Sequence, residues 1–142
     1  MTQTWLIPVN GSDSSLKSIT WVIDHVSDLK TTPTLHLLNV QPMFPNDIGR
    51  FIEPKQLKEF HREEGLKALY HAEHRLKEVG LNPQSHVSIG ESAETIVSFA
   101  ASLNCNQIVI GTRGHTGLGG TLLGSVASKV AHLTKVPLLL VR

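Results

Sequence analysis

Five short runs rich in aliphatic and β-branched residues, at positions 5–9, 35–40, 86–89, 107–110 and 138–141, are separated by segments in which apolar residues return at helical spacing. This alternation limits the fold more than any other feature of the chain. Most runs are bounded by Gly, Pro or Asn, residues that end regular structure. Between the first two runs, Leu16, Ile19, Ile23 and Val26 make one helical stripe, and Ser12, Asp13, Ser14 and Ser15 offer a choice of N-caps. A longer helix is expected from Pro54 to Val79, with Leu57, Phe60, Leu69, Ala72, Leu76 and Val79 facing inward, Gly65 as a local weak point and Gly80 as its stop. Ser92 is the expected cap of a third helix that buries Ala93, Ile96, Ala100 and Leu103, with Glu94 near its positive end. Val126, Val130 and Leu133 mark a fourth. Strands each followed by a helix return to parallel neighbours through right-handed crossovers. The expected class is therefore α/β: a doubly wound open sheet of five mostly parallel strands with helices on both faces.

A chain of 142 residues is of single-domain size, so residues 1–142 are read as one domain. Its 40% apolar and 18% charged residues suffice for a core without disulfides or a structural metal. Cys105 has no partner for an intrachain disulfide and is read as a structural thiol at a helix end. With 13 Lys and Arg against 12 Asp and Glu, no global field draws in nucleic acid or an anionic membrane, and neither is expected as a partner. No apolar stretch approaches the roughly 18–20 residues that span a bilayer. Met1 leads almost at once into the first strand with no basic or hydrophobic leader, so a cytoplasmic location is expected. Residues 41–53 read as a long loop.

In open parallel sheets, ligands sit beyond the carboxyl ends of the strands where strand order reverses. The segment after the fourth strand, residues 111–125, carries Gly111, Gly114, Gly117, Gly119, Gly120 and Gly124 and runs into the fourth helix. Glycines let backbone N–H groups approach an anion, and a helix start adds unpaired donors and a positive dipole end. Arg113 offers a charged donor and Ser125 a hydroxyl. The segment lacks the Gly-Lys-Ser/Thr of a P-loop, and the first βα turn lacks Gly-x-Gly-x-x-Gly.

Gly111, two residues, Gly114, nine residues, then Gly124-Ser125 resembles the phosphate loop of the nucleotide-binding universal stress proteins. The resemblance runs along the whole chain: Pro8-Val9-Asn10-Gly11-Ser12, Asn39-Val40, Gly90 through Ile96, and the close from Val136-Pro137 to Arg142. It implies strand order 3-2-1-4-5. It also implies an adenine nucleotide, ATP foremost or else ADP or AMP, with Mg2+ as an optional companion. The adenosine would lie among Pro8, Val9, Asn10 and Val40, and the phosphates on Gly111, Arg113, Gly114, Gly124, Ser125 and Val126. One position departs: the family usually has Asp where this chain has Asn10, which loses a charge-assisted acceptor or, alternatively, caps the turn into the first helix. In that strand order the apolar segment from Val136 to Val141 lies at the rim with unpaired backbone groups, and it is expected to pair with its copy in a symmetric homodimer unless Arg142 and a covering loop shield it.

No catalytic residue and no metal site is assigned. His71 and His74 find no third ligand at a known spacing and read as a polar helix face. Trp5 and Trp21 read as packing residues; Lys55, Lys58, His61, Arg62 and Lys67 read as a solvated face. The leading expectation is a stress-response regulatory module that binds nucleotide and acts on a further protein partner, and is not an enzyme. Two alternatives stand beside it. One is a slow ATP-hydrolysing switch, for which Asp13 and His115 are the nearby candidate groups; the other is a nucleotide-free dimeric scaffold.

Overall fold

The structure, a computed structural model, describes residues 2–45, 51–113 and 123–142. Along them run β1 (Thr4–Pro8), α1 (Asp13–Val26), β2 (Thr34–Gln41), α2 (Pro54–Glu78), β3 (Gln84–Ile89), α3 (Ser92–Ser102), β4 (Gln107–Gly111), α4 (Ser125–Leu133) and β5 (Leu138–Val141). The strands form one sheet in the order β3-β2-β1-β4-β5, with every pairing parallel. This is the doubly wound α/β architecture and the strand order expected.

Strand side chains alternate between two covered faces, which is why the inner strands are apolar at consecutive positions. Leu6, Leu38, Ile108 and Ile110 enter one layer with Ala93, Ile96 and Ala100 of α3 and Ala127 and Val130 of α4. Trp5, Ile7, Leu35, Leu37 and Val109 enter the other, against Ile19, Val22 and Val26 of α1 and Leu69, Ala72 and Leu76 of α2. Full burial of each Leu or Ile contributes roughly 1.5–3 kcal/mol. Trp5 is buried beside Trp21, ring centroids 6.1 Å apart, as a packing pair. Cys105 is buried in the α3/α4 layer, and burial pushes its thiol pKa up. No helix among the described residues is long and apolar enough to cross a membrane.

Several local expectations are corrected. The cap of α3 is Glu91, not Ser92: the Glu91 carboxylate accepts from the N–H groups of Ala93 (3.3 Å) and Glu94 (2.8 Å). The bond from Glu94 is the main cause holding the Glu91 carboxyl below its ordinary pKa. The buried line of α2 is His61, Gly65, Leu69, Ala72 and Leu76, whereas Phe60 and Val79 are exposed. The line passes through a histidine and a glycine, which an apolar pattern does not count. His61 is therefore a core residue beside Phe44, ring centroids 4.9 Å apart, while Lys55, Lys58, Arg62 and Lys67 are exposed as expected. The helix is continuous through Gly65. A Cβ there would lie 2.6 Å from Val87 Cγ2, so the glycine lets α2 rest on β3. Gly80, at φ +83°, ends α2 in the left-handed conformation that glycine adopts without strain. Gln41, read as loop, is the last residue of β2, and part of the 41–53 segment lies outside the described residues.

Candidate functional site

β1 is in register with β2 from Thr4/Thr34 to Pro8/Leu38, but with β4 at Trp5/Gln107 and Leu6/Ile108. The chain crosses from one side of β1 to the other between β3 and β4, so this is where strand order reverses. The ladder between β1 and β4 stops before their carboxyl ends, the place where open parallel sheets hold a ligand crevice.

The β1 side of the crevice is held by polar side chains. Val9 N–H donates to Leu38 O (2.8 Å), and Asn39 Nδ2 donates to Val9 O (2.8 Å). Gln41 Nε2 in turn donates to Asn39 Oδ1 (2.7 Å). Asn10 Oδ1 accepts from Ser12 N–H (3.0 Å) and from Ser12 Oγ (2.6 Å), and Ser12 Oγ accepts from Ser15 N–H (3.2 Å) to cap α1. Asn10 thus fixes the turn into α1, as its local reading allowed. Gly11, at φ +84°, bends that turn, and a Cβ on it would press on Ala68 Cα at 3.3 Å.

On the β4 side, Gly111 packs under the first turn of α1: a Cβ would stand 2.8 Å from Ser14 O. Thr112 is buried, donates its N–H to Val141 O (2.9 Å), and accepts at its carbonyl from Gly124 N–H (2.5 Å). That last bond joins the two ends of the glycine segment. Gly124 is the N-cap of α4 with extended backbone and no side-chain cap bond, so the N–H groups of the first turn of α4 are left for an acceptor from outside the helix.

Of the expected nucleoside residues, Pro8 and Val9 are buried and Asn10 and Val40 half-buried. The Val9 side chain belongs to the α1/α2 layer and Val40 to the α3/α4 layer, so Val9 has only backbone to offer a ligand. Of the expected phosphate residues, Gly111 is buried, Gly124 half-buried, and Arg113, Ser125 and Val126 exposed. Gly114, like His115, lies outside the described residues. Asp13 is the exposed first residue of α1. Among the described residues no group of three or more His, Cys, Asp and Glu could hold a metal ion. His71 and His74 flank Tyr70 on the exposed face of α2, at 5.4 and 4.2 Å between ring centroids. The sequence reading missed Thr112 and the Gln41–Asn39–Val9 chain. The available signal was the polar pair Asn39 and Gln41 continuing the inward face of Leu35 and Leu37.

The model of the universal stress protein family matches residues 1–142. Universal stress protein YxiE of Bacillus subtilis is 29% identical over 96% of this chain and 97% of its own length. Universal stress protein MJ0531 of Methanocaldococcus jannaschii is 31% identical over 96% of this chain and 80% of its own. The solved structure of MJ0577 superposes with a TM-score of 0.84 at 25% identity, covering 99% of this chain and 96% of that one. Universal stress proteins with the same fold have been crystallised with cAMP (TM-score 0.72, 23% identity) and, from Archaeoglobus fulgidus, with dAMP (TM-score 0.67, 19% identity). One from Arabidopsis thaliana has been crystallised with AMP (TM-score 0.70, 16% identity). The chain belongs to the universal stress protein family.

Proposed function

We propose that the chain binds an adenine nucleotide, ATP foremost with ADP and AMP as alternatives, in the crevice between β1 and β4. The observation that carries this reading is the Thr112 O to Gly124 N–H bond. It seats the uncapped start of α4 at the carboxyl end of β4, where strand order reverses. Phosphates would accept from the N–H groups of Ser125 and Val126 and from the Ser125 hydroxyl, with Gly124, its own N–H held by Thr112 O, and Gly111 lining the approach and Arg113 adding a charged donor; Gly114 is the remaining expected contact. The nucleoside would lie against Asn10 and Val40, beside the Pro8 and Val9 backbone. Relatives of the same fold crystallised with cAMP, AMP and dAMP support an adenine ligand.

The activity is binding, and its output is a conformation or surface presented to a regulatory protein partner in the cytoplasm. Mg2+ would arrive with the phosphates. The protein would act as a homodimer through β5, which pairs with β4 on one side and lies at the rim of the sheet on the other, with Leu140 exposed. Unfolding the purified protein and chromatographing the supernatant identifies any carried nucleotide, and calorimetric titration with ATP measures affinity. Ser125→Glu is the sharpest variant. A carboxylate in the first turn of α4 suits the helix dipole but repels phosphate, so stability should hold while affinity falls at least about ten-fold. No heat with millimolar ATP, or unchanged affinity in Ser125→Glu, would refute the reading.

A further inference from the structure

Two histidines that the candidate site does not use meet inside the α3/α4 layer. His36 of β2 and His86 of β3 approach with Nδ1 to Nε2 at 2.9 Å, their rings stacked with centroids 5.1 Å apart. His86 packs on Phe99 of α3 at 5.5 Å, and His36 is 6% exposed. A bond between these nitrogens needs one donor and one acceptor, so one of the two facing nitrogens carries no proton. When both rings are protonated both nitrogens are donors. The bond is lost, and two cations face each other, His36 buried and His86 half-buried.

Among the described residues of the neighbouring strands and helices, no carboxylate is free to compensate a second proton. β1, β2 and β3 carry no ionisable side chain other than these two histidines. The one ionisable group on α3, Glu94, is exposed and pairs with Lys129 of α4 at 3.7 Å, as does the cap Glu91 at 3.5 Å. His132 of α4 is exposed, and the Cys105 thiol is kept neutral by burial. Burial first, and the charge of His86 second, hold the His36 pKa below its ordinary value.

We propose that the His36–His86 pair is a proton-operated latch, closed by one N–H···N bond at neutral pH and forced open when both rings are protonated, releasing β3 and α3 from β2. β3 is the other rim of the sheet and, among the described residues, pairs with β2 alone, so no further strand retains it. Val40 and Ser88 stand two residues beyond Leu38 and His86 in the same ladder, so the opening disturbs the rim of the crevice from below. That consequence, unlike the latch itself, rests on the nucleotide reading.

The sign follows from linkage. With its folded pKa depressed, His36 binds fewer protons in the native state than in the unfolded one below about pH 6.5, so its contribution is present above that value and lost as pH falls. Between pH 7.5 and 5.5, a histidine that takes up no proton when folded raises the unfolding constant about ten-fold. That is the upper limit, so urea unfolding of the full chain at both pH values should show an excess rise of up to about ten-fold over His36→Asn. The Asn Nδ2 donates from the place of a neutral Nδ1–H but does not titrate, and the six histidines outside the pair are common to both proteins and cancel. His86→Gln repeats the test should His36→Asn fail to fold. Hydrogen exchange on the wild type, corrected for intrinsic rates, should show β3 and α3 amides losing protection at pH 5.5 while those of β4 and β5 do not. Equal pH dependence in wild type and a folded variant, or a loss of protection uniform across the sheet, would overturn the proposal.

Discussion

Gly65→Ala is expected to destabilise the protein although it replaces glycine by the best helix former in the middle of α2. Helix propensity alone favours Ala by about 0.8–1.0 kcal/mol. The structure opposes it: the new Cβ would stand 2.6 Å from Val87 Cγ2, nearer still to Cγ1, and 3.1 Å from Val87 Cβ. Both methyls of a β-branched side chain face the helix, and its restricted χ1 gives it no easy retreat. Relief must come from lifting α2 off the sheet or bending β3, and such overpacking costs roughly 1–3 kcal/mol. The difference is a net loss of about 1 kcal/mol, or roughly 3–4 °C in Tm for a chain of this size. Urea unfolding followed by far-UV circular dichroism measures it. Val87→Ala in the same background should cost less than in the wild type, because it removes the two methyls in conflict, so the double-mutant cycle should show favourable coupling. A Gly65→Ala protein more stable than wild type, or a cycle with zero coupling, would refute the packing argument.

Asn10→Asp keeps the acceptor for Ser12 N–H and Oγ and supplies a second, charged oxygen, so nucleoside binding should tighten by about 1 kcal/mol, roughly five-fold, in calorimetric titration; equal or weaker affinity would remove Asn10 from the nucleoside contacts. For the dimer, Leu140→Lys is the informative change, because Leu140 is exposed on β5 whereas Leu139 packs against the α1/α2 layer. Sedimentation equilibrium at tens of micromolar should show wild-type dimer and variant monomer of unchanged stability, and a monomeric wild type would end the edge-strand proposal. Asn39→Leu keeps the branched shape but strips a hydrogen-bond partner from Val9 O and Gln41 Nε2, so the chain should lose about 1–3 kcal/mol of stability. Thermal unfolding unchanged by that substitution would show the tip of β1 to be held by its ladder alone.

The fold was legible because the inner strands state their environment outright: Leu6-Ile7, Leu37-Leu38 and Ile108-Val109 are consecutive apolar pairs that only a sheet covered on both faces can bury. The misread details share one cause. Apolar counting assigns direction by residue type, whereas α2 turns inward at His61 and Gly65, the one packed against Phe44 and the other admitted for want of a Cβ. Glu91 displaced Ser92 as a cap for a related reason. Rules of preference favour a short hydroxyl, but a carboxylate one residue earlier reaches the same two N–H groups and gains charge in doing so.

The candidate site was only half legible, and its glycines show why. Spacing treats Gly111 and Gly124 alike, as positions cleared for a ligand. Yet Gly111 already has a sufficient reason in packing, since any Cβ would strike Ser14 O at 2.8 Å and push α1 off β4. Gly124 has no such backbone reason: at φ −67° and ψ 165° it occupies a conformation open to any residue, and a Ser, Thr, Asp or Asn there would cap α4 better. A capping side chain would, however, accept from the very N–H groups that the helix start leaves open beside the Thr112 bond. The chain forgoes roughly a few tenths of a kcal/mol of capping relative to the best residues, consistent with an acceptor supplied from outside. The sequence could display both glycines but not tell the one that packing requires from the one whose backbone angles any residue can adopt. That distinction needed the position of Ser14, more than ninety residues away along the chain.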